Sequence, residues 1–223
     1  CLLSRGLGDV YKRQVEHGLN LGAKLVWMPT FSSANHIAHH HQDVKFVEKF
    51  PQTTQRMLQP IPLTVLDDDG KLKEEVKAIL DLIAAQDVVL SAGHLNIREI
   101  WPLFEEARKR GVKRLLVNHP TYVVDASLDD MRQLASEGVF MEHSMCMWVP
   151  GSKFKFYDDT FLRQVIEAGT IDLTILGSDL GQQGNPSIAD GFRNVIGQLL
   201  DLEYSDADIR KMISGNAARL MNL

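Results

Sequence analysis

The chain has 223 residues, 44% apolar and 24% charged, the balance of a folded globular protein and not of a disordered one. Lys and Arg number 24 against 29 Asp and Glu, a net charge of −5; non-specific nucleic-acid binding needs basic surface, so no nucleic-acid partner is expected. No apolar run nears the roughly 20 residues of a membrane-spanning helix, so no membrane partner is expected either. The two cysteines, Cys1 and Cys146, make neither a disulfide framework nor a Cys-x-x-Cys site, which suits a cytoplasmic location.

Residues 1–14, CLLSRGLGDVYKRQ, contain no Met and lack the basic, apolar and small-residue layout of a signal peptide. They resemble translated adapter read-through at the end of a metagenomic reading frame. The expectation is a non-native scar over 1–14 and a single domain over 15–223.

Six short apolar runs follow: Leu25–Met28, Leu63–Leu66, Val88–Leu90, Leu115–Val117, Val139–Met141 and Leu173–Leu176. Runs rich in Val, Leu and Ile without polar alternation suit strands buried on both faces of a parallel sheet. Amphipathic stretches separate them. Residues 71–85 place Leu72, Val76, Ile79, Leu80 and Ile83 on one helical stripe. Residues 158–168 do the same with Phe161, Leu162, Val165 and Ile166, and Gly169 follows as a C-cap. Ser127 and Ser205 each have an Asp three residues later, the spacing of a capping box. The Asp67-Asp68-Asp69-Gly70 segment reads as a turn. Strands alternating with helices predict an α/β parallel sheet, either doubly wound or barrel-like. No Gly-x-Gly-x-x-Gly or phosphate-loop signature supports the nucleotide-binding open sheet.

Polar residues recur just past the runs. His94 follows the third, His119 the fourth, His143 the fifth and Asp179 the sixth. Parallel strands put these ends on one side, and in a barrel they line one mouth. Imidazole and carboxylate suit a divalent cation, which lowers the pKa of a bound water; an Asp beside it accepts the remaining proton. Glu142 precedes His143, and strand neighbours face opposite ways, so one of the two faces the mouth. Asn35 and His36 lie near the end of the first run, and Asn118 precedes His119. Arg98 stands four residues past His94. These four are the expected substrate-binding side chains. The His36–His41 cluster reads as a solvated helix or loop, Lys153 and Lys155 as a charged loop tip, and Cys146 as a packing residue.

The segments GSDLGQQGNP and ISGNAARLMNL resemble the C-terminal end of the amidohydrolase superfamily. Val26–Thr30 followed by Asn35–His36 resembles a bacterial group of metal-dependent hydrolases. The resemblance implies an incomplete (β/α) TIM-barrel-like fold with about six of eight parallel strands, strands three to eight. It implies His94, His119 and Asp179 as metal ligands, with Asp179 also the catalytic proton acceptor; the strand-end pattern adds His143 as a further expected ligand. The metal is zinc first, with manganese or iron as alternatives. The superfamily's first-strand His-x-His is not seen here. The expected activity is hydrolysis of a small-molecule amide, ester or lactone. A phosphoesterase, a decarboxylase and a degenerate non-catalytic barrel are the alternatives. A barrel short of two strands leaves unpaired edges, so self-association into a homo-oligomer is expected.

Overall fold

The structure is a computed structural model and describes residues 8–42 and 61–223. Five strands alternate with helices and run parallel. They are β1 (Leu25–Trp27), β2 (Val89–Ser91), β3 (Leu115–Asn118), β4 (Phe140–Ser144) and β5 (Thr174–Gly177). They lie in chain order across the sheet. The fold is an incomplete α/β barrel.

The chain divides into two compact units. The first comprises residues up to 116 together with 122–125, and the second 117–121 together with 126–223. β3 belongs to both, its first two residues to one and its last two to the other.

In the first unit, helix α1 (Gly8–Asn20) packs on α3 (Glu74–Ala85), and α3 packs on α4 (Ile97–Lys109). Helix α1 begins inside the segment read as a scar. The short helix α2 (Ala34–Gln42) follows β1. The stripe expected over 71–85 buries Leu72, Val76, Ile79, Leu80 and Ile83. Asn96 caps α4: its side chain accepts from the Arg98 amide while Glu99 reaches back to the Asn96 amide.

The expected strand over Leu63–Leu66 does not form, so the described residues hold five strands where six were expected. β1 pairs directly with β2, in the register Val26 to Leu90. The run is preceded by Pro62, which has no amide hydrogen to donate. Leu63 bonds the segment after β1, its amide donating to the Ser32 carbonyl and its carbonyl accepting from the Ala34 amide, and the Val65 carbonyl accepts from Lys73. Only single bridges remain, Ser33 to Leu63 and Leu66 to Leu72. The Asp67–Gly70 turn is present: the Asp67 carboxylate accepts from the Asp69 and Lys71 amides, and Gly70 takes φ +75°.

In the second unit, α5 (Leu128–Ser136) packs against α6 (Asp159–Gly169). Met131, Leu134, Met141, Leu162, Val165 and Ile166 form its core. Helices α7 (Ile188–Asp201) and α8 (Asp206–Arg210) follow, then a wide turn over Lys211–Gly215 and α9 (Asn216–Met221). Ser127 and Ser205 cap α5 and α8 as expected. Gly169 is not the left-handed stop of α6; Thr170 is, at φ +62°. Gly169 is small for another reason: a Cβ there would lie 3.1 Å from the Met141 Cε and 3.2 Å from the Thr174 Oγ1. In the C-terminal motif, Asn216 is buried and donates to the Ile171 and Thr174 carbonyls at 2.7 and 2.6 Å. That ties α9 to the start of β5, so this part of the motif works as packing.

Candidate functional site

In the second unit, β3, β4 and β5 bring four chemically active side chains together. His119 follows β3, and its amide donates to the Glu142 carbonyl at 2.6 Å. Glu142 lies on β4 with a half-buried carboxylate. Ser144 Oγ donates to it at 3.2 Å, and Asn118 Nδ2 is 3.4 Å from its Oε2. Gly177 on β5 leaves the space: a Cβ there would lie 2.1 Å from Glu142 Oε1. Asp179, two residues past β5, is exposed; Cys146 Sγ is 3.8 Å from its Oδ2 and Gln182 Nε2 is 3.5 Å from its Oδ1.

The electrostatics follow from burial and like charge. Burial pushes the Glu142 carboxyl up to about 7, and the Asp179 carboxylate adds to the push. Hydrogen bonds from Asn118 and Ser144 pull the other way. Burial lowers the His119 imidazole, against the attraction of Asp179. Burial, then Asp179 and Glu142, hold the Cys146 thiol protonated, so it is no nucleophile. His119 and Asp179 both have left-handed backbones, φ +30° and +47°. Non-glycine residues rarely adopt that region, and its cost is commonly borne at functional positions.

The strand alternation separates Glu142 from His143. His143 is fully buried on the other side of β4, its ring edge-on to Trp148 at 6.2 Å. Neither ring nitrogen has a hydrogen-bond partner among the described residues, and burial alone lowers its pKa to about 4. His143→Leu is therefore expected to stabilise the fold at pH 7 by about 1–3 kcal/mol, the cost of buried unsatisfied polar atoms. Denaturant titration checks this; a destabilised variant would show that the ring makes a polar contact in solution.

In the first unit, the segment after β1 meets the loop after β2. His94 is half-buried there, and its Nδ1 lies 2.8 Å from the Nδ1 of His36. The two rings stack at 4.7 Å, and Phe31 packs edge-on to both. Asn35 Nδ2 donates to the carbonyls of His94 and Val123. Arg98 is exposed on the first turn of α4. The side chains of His40 and His41 lie outside the described residues.

The sequence reading put Asn35, His36, His94, Arg98, Asn118, His119, His143 and Asp179 at one barrel mouth; within the second unit the structure groups Asn118 and His119 with Glu142, and within the first it groups Asn35 and His36 with His94. The sequence left Glu142 and His143 open; the Glu142 carboxyl is the one that feels the Asp179 charge. It passed over Cys146 as a neighbour of Asp179. The signal for Glu142 was Gly177, a residue without a side chain on the adjoining strand.

Imidazole and carboxylate are the donor types a divalent transition metal takes. Among the described residues, no group of three or more His, Cys, Asp or Glu is arranged to hold one. These donors do not by themselves close a metal site. No described helix is long and apolar enough to cross a membrane.

Residues 1–142 match the model of a family described as Family of unknown function (DUF6282). That is well over half of the chain, and the chain belongs to this family. The match takes in the segment read as a scar. A search of curated protein sequences gives no match.

Among solved structures, an amidohydrolase from Pseudomonas aeruginosa is similar at a TM-score of 0.60 and 13% identity, over 96% of this chain and 68% of that one. An amidohydrolase from Burkholderia multivorans with bound zinc is similar at 0.52 and 16%, over 98% and 89%. In a second crystal form of that protein the likeness spans 58% of its chain and 68% of this one, at 0.50 and 16%. A 2,6-dihydroxybenzoate decarboxylase from Rhizobium is similar at 0.53 and 11%, over 96% and 68%. The likeness is one of fold: the chain shares the α/β architecture of these neighbours.

Proposed function

We propose that the chain is part of a metal-dependent hydrolase of the amidohydrolase type, acting on a small-molecule amide, ester or lactone. The observation that carries the reading is Asp179, held in a left-handed backbone beyond β5, whose charge acts on both His119 and Glu142. The zinc-bound fold neighbour supports a divalent ion, zinc first, with manganese or iron as alternatives. In the second unit His119 and Asp179 carry donors that suit such an ion, and in the first unit His94 does.

The residues' own roles follow from their chemistry. Asp179, an exposed carboxylate, accepts the proton of an attacking water. His119, beside that carboxylate, donates to the oxygen that gains charge in the transition state. Asn118 and Ser144 hold Glu142 in place next to them. The Rhizobium neighbour favours decarboxylation of an aromatic acid as the second reading.

Asp179→Asn in the intact protein is expected to lower turnover at least about 10²-fold, the usual worth of a positioned general base, without lowering the melting temperature. Amides, esters, lactones and aromatic acids make up the substrate panel. Release of carbon dioxide from an aromatic acid selects the second reading, and undiminished hydrolysis by the variant removes Asp179 from the mechanism.

A further inference from the structure

The segment Ser33-Ala34-Asn35-His36 closes on the His94 loop from several directions. Ser33 is fully buried, and its Oγ donates to the His94 carbonyl at 2.9 Å. Asn35 Nδ2 donates to the same carbonyl at 3.1 Å and to the Val123 carbonyl at 2.6 Å. The His94 amide donates to the Pro29 carbonyl at 3.0 Å. Buried His36 then meets the His94 ring, Nδ1 to Nδ1, at 2.8 Å. Both backbone polar groups of His94 and one ring nitrogen are thus engaged by residues 29–36.

Two imidazole nitrogens at that distance share one proton, one donating and one accepting. Which nitrogen of a histidine carries its proton is set by the bond the other nitrogen makes. A histidine that acts through a lone pair on Nε2 must carry its proton on Nδ1 and needs an acceptor there.

We propose that Ser33, Asn35 and His36 are positioning residues that fix the His94 backbone and hold its ring in the Nδ1–H tautomer, with His36 Nδ1 as the acceptor. His94 then turns the Nε2 lone pair to its ligand. The inference rests on the reading of His94 as a site residue, but the tautomer itself is measured without substrate or metal.

The test is long-range ¹H–¹⁵N correlation of the histidine rings in ¹⁵N-labelled protein, in chelator, above the range where imidazole is protonated. The wild type is expected to show His94 as the Nδ1–H tautomer. His36→Phe keeps a flat ring without an acceptor and should move His94 predominantly to the Nε2–H form. His36→Asn places Oδ1 near the Nδ1 position and should restore the wild-type tautomer. A merely structural role for His36 would not separate the two variants in this way.

An Nε2–H tautomer in the wild type overturns the proposal without any variant. So does a folded His36→Phe protein with an unchanged His94. If the tautomer is as expected but His94→Ala leaves turnover of the intact protein intact, the positioning stands and the reading of His94 as a site residue fails.

Discussion

Gly93→Ala is expected to destabilise the first unit by on the order of 3–5 kcal/mol, the range reached when overpacking and backbone strain coincide. Gly93 has φ +61°, where a side chain is strained in any surroundings. A Cβ there would also lie 2.3 Å from the Met28 carbonyl oxygen and 2.8 Å from that of Pro29. Those atoms belong to backbone, so no side-chain rotation relieves the overlap. The same approach lets the His94 amide reach the Pro29 carbonyl, so the substitution should also disturb the His94 ring. Gly197→Ala is the control. It lies inside α7 with nothing within 4 Å of an added Cβ, and should stabilise by about 0.5–1 kcal/mol. Urea titration of both variants reads the contrast; comparable stabilities would mean that the loop moves aside at little cost.

Glu142→Gln is expected to raise the melting temperature at pH 8 and to leave it nearly unchanged at pH 4.5, in chelator. The Glu142 carboxyl stands near 7 because of burial and then the Asp179 charge, against an ordinary 4.5. Between those values the folded chain keeps a proton that the unfolded chain has released. The contribution of this group is complete below pH 4.5 and is lost as pH rises through about 7, roughly 3 kcal/mol in all. Glutamine keeps an acceptor oxygen for Asn118 or Ser144 and carries no charge. His143 works in the opposite sense. Its folded pKa of about 4 lies below the ordinary 6.5, so its contribution is present above pH 6.5 and is lost as pH falls toward 4. The two slopes oppose each other in the wild type, and each single variant exposes the other. Equal shifts for Glu142→Gln at both pH values would show that its carboxyl titrates normally.

The apolar runs marked β1, β2, β3, β4 and β5 because a strand covered on both faces has no polar alternation to confuse with a helix. The same rule misled at Leu63–Leu66. Val65 there is as buried as a sheet residue, but Pro62 has no amide to donate, Leu63 makes a single parallel bridge to Ser33, and the Val65 carbonyl is taken by Lys73. Hydrophobicity reports burial, whereas pairing depends on where amide and carbonyl groups find partners. The positions of His119 and Asp179 were legible because the first directly follows β3 and the second lies two residues past β5. The His36–His94 contact was not, since it depends on the path of the backbone between β1 and α2 and no residue spacing encodes it. Glu142 and His143 could be told apart only once β4 was aligned on β5, with Glu142 opposite Ile175 and Gly177 two residues further on.

The left-handed backbones of His119 and Asp179 bear on engineering. Glycine would adopt either conformation without strain, so each side chain is retained at a thermodynamic disadvantage of about 1 kcal/mol or more. A variant library screened only for heat resistance would discard these two residues early. Losing them in such a screen would reveal a compromise between durability and chemistry, which stabilising redesign of this scaffold must hold fixed.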